Sequence, residues 1–220
     1  MKKLVFICLM MISSRALAGL EFRAHYGVLN GDASSFNTAL QTQIVNNPTL
    51  NGKLPMYGAD LLYVLPFVHL SFGVRYEMFD FKNSGPATIG GTAVASDTEL
   101  KGSRLSALVG YRLLENSLFY LGILGHYGLS QKMEYDDNIT ISGTTTNNSN
   151  TGVVAPTYGA GVEAGVTLGP ILLGAEVGYS VFKATSFTTS TGATFNDVNG
   201  NAVALDLSGT YYKAMVGFTF

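Results

Sequence analysis

The sequence predicts an all-β fold, a transmembrane antiparallel up-and-down β-barrel of eight strands with both termini periplasmic. Three observations predict it. Apolar and polar residues alternate in eight separate segments, and a period of two is the period of a strand. The connections between those segments are short and long in turn. Charged residues make up only 13% of the 220, yet no apolar run approaches the roughly 20 residues that a spanning helix needs.

Residues 1–18 read as a secretory leader that export removes. Lys2 and Lys3 give a positive start, Leu4 to Ile12 an apolar core, and Ala16-Leu17-Ala18 a small-residue cleavage site before Gly19. A lipoprotein leader ending at Cys8 would leave too short an apolar stretch before the cysteine. Residues 19–220 then form one barrel domain. Loss of Lys2, Lys3 and Arg15 leaves 10 of the 13 basic residues against 15 acidic ones, a net charge of −5 that argues against nucleic acid as a partner. The single cysteine leaves with the leader, which suits an oxidising compartment and excludes both a disulfide scaffold and a thiolate metal site.

The first strand runs over 20–28, with Leu20, Phe22, Ala24, Tyr26 and Val28 on one face and Glu21, Arg23, His25 and Gly27 on the other. The second covers 57–65. The third, over 70–78, sets Phe72, Val74 and Tyr76 against Gly73, Arg75 and Glu77. Strands over 103–113, 119–129, 157–168 and 171–182 follow, and 212–220 closes the chain with Tyr212, Val216, Phe218 and Phe220 on the apolar side. Their lengths suit the roughly 9–11 residues of a tilted strand that crosses a bilayer. Tight turns fall near Pro66-Phe67, 114–117 and Gly169-Pro170. The long connections, 29–54, 82–99, 135–155 and 183–203, are rich in Asn, Thr, Ser and Gly and are expected to be mobile loops.

Alternation alone does not say which face looks outward. The polar face carries Gly27, Gly58, Gly73, Gly110, Gly122, Gly159, Gly161 and others. Glycine weakens a solvated strand, whereas inside a narrow barrel it makes room for large charged neighbours. The apolar face carries most of the aromatics, many near strand ends where amphipathic rings suit a membrane interface. The polar face is therefore read as the inside. The inward ionisable residues are then Glu21, Arg23, His25, Asp60, Arg75, Glu77, Arg104, Arg112, His126, Glu163, Glu176 and Lys213. Five bases meet five acids, as a water-poor lumen requires. The network is read as structural filling, with a gate whose pairs exchange partners as the alternative.

On this architecture the chain resembles the small eight-stranded outer-membrane β-barrels, the group that includes OmpX and the transmembrane domain of OmpA. The closing segment, with Tyr212, Val216, Phe218 and terminal Phe220, resembles the signal read by the barrel-assembly machinery. The resemblance implies location in the bacterial outer membrane, contact with its lipid and lipopolysaccharide, assembly by that machinery, and a monomer. It carries over no functional motif. The expected role is non-enzymatic, in envelope integrity or in surface interaction through a ligand held by the four loops. A narrow porin-like channel and a lipid A-modifying enzyme are the alternatives.

No catalytic residue, cofactor or metal is expected. His126 and Ser130 would share a face with Glu163 near by, but a lipid-modifying triad must meet lipid, and this face looks into the lumen. Glu134, Asp136, Asp137 and Asn138 form an acidic run that lacks the later bidentate Glu of a calcium loop. The inside–outside assignment makes Val74→Arg cost about 2–4 kcal/mol by placing charge against lipid, and Gly73→Ser much less, in unfolding of detergent-refolded protein.

Overall fold

A computed structural model describes residues 19–65 and 67–220, so the leader read over 1–18 lies outside the described residues. Among the described residues eleven strands and one helix succeed one another: β1 (Leu20–Asn30), α1 (Ser34–Gln43), β2 (Lys53–Val64), β3 (Leu70–Ile89), β4 (Thr92–Glu115), β5 (Phe119–Ile141), β6 (Thr144–Val154), β7 (Tyr158–Leu168), β8 (Ile171–Val181), β9 (Lys183–Thr189), β10 (Leu205–Asp206) and β11 (Gly209–Thr219). Eight of them close a ring of antiparallel pairs. β1 to β5 pair in sequence, β5 pairs with β7, β7 with β8, β8 with β11, and β11 returns to β1. Closure leaves the ring without a free edge, so backbone groups inside a membrane are satisfied by neighbouring strands. The segments predicted from alternation are these eight.

The first and last described residues meet at the barrel end that carries the tight turns. The Gly19 amide donates to the Phe220 carbonyl at 2.9 Å, and the Val64 amide donates to the Gly19 carbonyl at 2.7 Å.

The opposite end departs from expectation. Two of the four predicted loops are largely β-structure, and a third begins as a strand. β3 and β4 continue to a two-residue turn at Gly90-Gly91 (φ 55 and 85), and β5 and β6 to another at Ser142-Gly143 (φ 50 and 83). Positive φ at both positions is what the tightest hairpins demand, and these dipeptides supply it. β9 then pairs with β6, and β10 with β9. Polar composition did not prevent strands because one face still finds a core: Ala87, Val94, Tyr135 and Phe187 point inward and are at most 6% exposed.

The fourth connection supplies the lid. Asp32 accepts the Ser34 amide at 2.8 Å and satisfies one free donor at the start of α1. Phe36 and Leu40 then bury onto that inward core, each adding about 1.5–3 kcal/mol of apolar burial. The returning chain is tied down by the Asn37 side chain, which donates to the Leu50 carbonyl and accepts from the Leu50 amide. Val45 and Thr88 exchange backbone hydrogen bonds of 3.0 and 2.8 Å, which covers the upper edge of β3.

The wall thus has two storeys of opposite polarity. In the lower storey the outside is apolar and ends upward in a ring of exposed tyrosines, Tyr26, Tyr57, Tyr127, Tyr158, Tyr179 and Tyr212. Tyr26 lies directly opposite Tyr57, and Tyr127 opposite Tyr158. Above the ring the outside turns polar, with Lys82 and Lys101 each paired to Glu99, at 2.7 and 2.8 Å. The interior does the reverse, charged below and apolar above.

One expectation fails at atomic detail. A Cβ on Gly73 would lie 2.1 Å from the Leu61 carbonyl oxygen, so serine there requires a backbone shift. Gly73→Ser is therefore costly in its own right. A comparison along one face of β3 replaces it. Val74→Arg, in the apolar belt, should cost about 2–4 kcal/mol, while Ser84→Arg, above the tyrosine ring, should change stability by no more than about 0.5 kcal/mol in urea unfolding from lipid vesicles.

Candidate functional site

The alternation that builds the ring places all twelve predicted residues inside, each at most 6% exposed. They assemble into two groups. Near the turn end, Arg23 on β1 donates to Glu21 on its own strand at 2.5 Å and across the lumen to Glu163 on β7 at 2.6 Å. Arg112 on β4 reaches across to Glu21 and also pairs with Glu115. The Tyr120 ring lies 5.5 Å from the Arg23 guanidinium carbon and 4.5 Å from that of Arg112, within cation–π range.

At mid-barrel Arg75 on β3 has no exposure and is gripped from two sides. Asp60 on β2 accepts from Nε at 2.7 Å and from one terminal nitrogen at 2.8 Å, and Glu176 on β8 accepts at 2.6 and 3.0 Å. The Tyr211 hydroxyl donates to Glu176 at 2.6 Å. Glu77 pairs with Arg104 at 2.5 Å and with Lys213 at 2.6 Å. His25 sits between Asp60 and Glu77, at 3.4 and 3.3 Å. Arg104 donates to Ser180 at 2.9 Å, and Ser180 lies 3.2 Å from His126. Glycine gives these groups their room: a Cβ on Gly58 would come within 2.9 Å of the His25 ring, and one on Gly159 within 2.5 Å of the His126 ring.

Tyr120, Tyr211, Ser180 and Glu115 belong to this network and were not anticipated. Parity marks the two tyrosines as inward, since Phe119 and Tyr212 beside them face out. Glu115 lies beyond the predicted strand end, where β4 continues after a register shift near Leu114.

The triad weighed from the sequence does not form. A register shift between Leu105 and Ser106 makes Leu129 a bulge, and Ser130 turns to the outer surface. Glu163 is held by Arg23, and His126 Nδ1 has no partner among the described residues. The acidic run is divided as well, with Asp137 buried inside and Glu134 exposed outside. Among the described residues no cluster of three or more His, Cys, Asp or Glu side chains could hold a metal ion. Tyr212, Val216, Phe218 and Phe220 all face outward, between 49% and 65% exposed.

An apolar girdle ending in tyrosines, wrapped round an ion-paired lumen and closed without an edge, is a surface built for lipid. The chain is a transmembrane β-barrel. No protein-family model matches it, and no curated protein does. Among solved structures, Neisserial surface protein A (NspA) matches with a TM-score of 0.47 at 13% identity, over 92% of this chain and 98% of that one. Ail, the attachment invasion locus protein of Yersinia pestis, solved with the heparin analogue sucrose octasulfate, gives 0.43 at 11%, over 91% and 96%. A major outer membrane protein of Thermus thermophilus gives 0.47 at 12%, over 91% and 99%. Likeness at this level carries nothing about individual residues.

Arg75 is the shared cation of two buried carboxylates. Arg75→Met leaves Asp60 and Glu176 buried without their cation and should cost about 3–5 kcal/mol in urea unfolding from lipid vesicles. Adding Glu176→Gln should recover part of that loss.

Proposed function

We propose that this protein is a non-enzymatic, non-conducting barrel that anchors a rigid β-storey at the cell surface, where it serves envelope integrity and surface contact. The observation that carries this reading is the double closure of the lumen. Ion pairs cross it near the turn end and at mid-height, and the apolar core beneath α1 blocks it above. An eight-stranded interior is just wide enough to be blocked by side chains, and here ionic side chains cross it below and apolar ones above. In barrels of this kind short turns face the periplasm and long connections the outside, so the capped storey faces outward and both termini face inward.

Lys82 and Lys101 stand above the tyrosine ring, at the level expected for lipopolysaccharide headgroups. The outward Tyr212, Val216, Phe218 and Phe220 of β11 would be presented to the assembly machinery and, after closure, to lipid. The network is read as structural because each of its carboxylates already has a cationic partner at hydrogen-bond distance.

Planar-bilayer recording of the refolded protein should give no reproducible single-channel steps. Steady steps would transfer the reading to a narrow channel. Removal of Thr140, Ile141, Thr144 and Thr145 shortens the β5–β6 hairpin and keeps the Ser142-Gly143 turn. That variant should assemble normally yet alter adhesion or the sensitivity of the envelope to detergents and bile salts. Wild-type behaviour in both assays would remove the surface role.

A further inference from the structure

The outward storey contains a cavity of about 400 Å³ between α1, the tips of β3, β5 and β6, and the segment that follows β9. That volume lies within the range of about 300–1,000 Å³ typical of small-molecule sites. Its walls are mainly apolar, supplied by Leu40, Ile44, Ile139 and Phe195, and its mouth carries the exposed Asn148 and Ser149. At its floor lies Asp137, only 5% exposed.

Asp137 is unlike every inward acid of the lower storey. Glu21, Asp60, Glu77, Glu163 and Glu176 each have an arginine at salt-bridge distance. Asp137 has no lysine, arginine or histidine partner among the described residues. Its donor is the Ser96 hydroxyl at 3.0 Å, and that hydroxyl also lies 2.7 Å from Asn47 Oδ1. Around it the Tyr135 hydroxyl, Thr98 and Asn47 form a polar floor that brings no positive charge. Burial pushes the Asp137 carboxyl above the ordinary aspartate range, opposed by the Ser96 hydroxyl and reinforced by the charge of Asp97. A buried carboxylate needs a counter-charge or a proton. In a cavity that opens to the medium, a ligand can supply the charge.

We propose that this cavity binds a small amphiphilic cation, an ammonium group on a short apolar body, with Asp137 as its counter-ion. The apolar walls take the body, Asp137 takes the ammonium, and Asn148 and Ser149 border the entrance. An anion or a neutral sugar would leave the carboxylate uncompensated, and a purely apolar ligand would leave it unsolvated. This site is separate from the non-conducting lumen, so the bilayer recording and the titration below fail independently.

The test is isothermal titration of the full refolded protein, in an uncharged sugar detergent, with 2-phenylethylamine as the probe. Saturable one-to-one binding is expected. The isosteric alcohol 2-phenylethanol should bind at least about tenfold more weakly, and Asp137→Asn should weaken the amine at least about tenfold while leaving the alcohol unchanged. Asn148→Trp, a change at the exposed cross-strand neighbour of Asp137, should abolish binding of both probes by filling the mouth while keeping the carboxylate. It keeps the test decisive if Asp137→Asn does not refold. Equal affinity for amine and alcohol, unchanged amine binding in either variant, or no saturable heat with the wild-type protein would each overturn the proposal.

Discussion

Arg75 is held between Asp60 and Glu176 at the centre of the barrel, with no exposure to solvent. A guanidinium there is tolerable only if its charge is matched and its donors are used, because an unpaired buried ion costs several kcal/mol. That requirement spreads outward. Glu176 also accepts from Tyr211, Asp60 adjoins His25, and His25 adjoins Glu77, which binds Arg104 and Lys213. The bonds run between strands far apart in the chain, and they fix the diameter and the register of the ring together. A one-residue slip of any strand would point its charges at lipid and its apolar residues at this network.

The same backbone runs on above the tyrosine ring with its faces exchanged. Below, the surroundings are lipid and the interior is ionic. Above, the surroundings are aqueous and the interior is a conventional apolar core, closed by Phe36 and Leu40 of α1. On β5, Gly122, Leu124 and His126 face in below, and Met133, Tyr135 and Asp137 face in above. The bulge at Leu129 lies between the two sets. Where alternation must be rephased, one extra residue does it.

Much of this was legible. Alternation marked the eight ring strands, glycine placement showed which face is inner, and parity identified the residues of the ion network. The upper storey was misread because Thr, Ser and Asn were weighed as composition. Gly90-Gly91 and Ser142-Gly143, flanked by Thr and Ile, are hairpin signals in their own right. The bulge was not legible, since β-bulges follow from how two strands accommodate each other, and it moved Ser130 to the other face. Nor was the cavity, whose walls come from segments that meet only through the pairing of β6 with β9 and the docking of α1.

The ion pairs that cross the lumen also constrain how the barrel can form. Arg23 and Glu163 are separated by 140 positions, Arg75 and Glu176 by 101, and Arg112 and Glu21 by 91. Hairpin-by-hairpin insertion would expose several of these charges to hydrocarbon before their partners arrive. Partly assembled states must therefore keep their inner face hydrated until β11 meets β1. Closure and charge pairing become one event, which makes opening a single strand pair as unfavourable as hydrating the whole interior. Sealing of this kind raises the barrier to unfolding, a kinetic quantity distinct from the sum of the contacts.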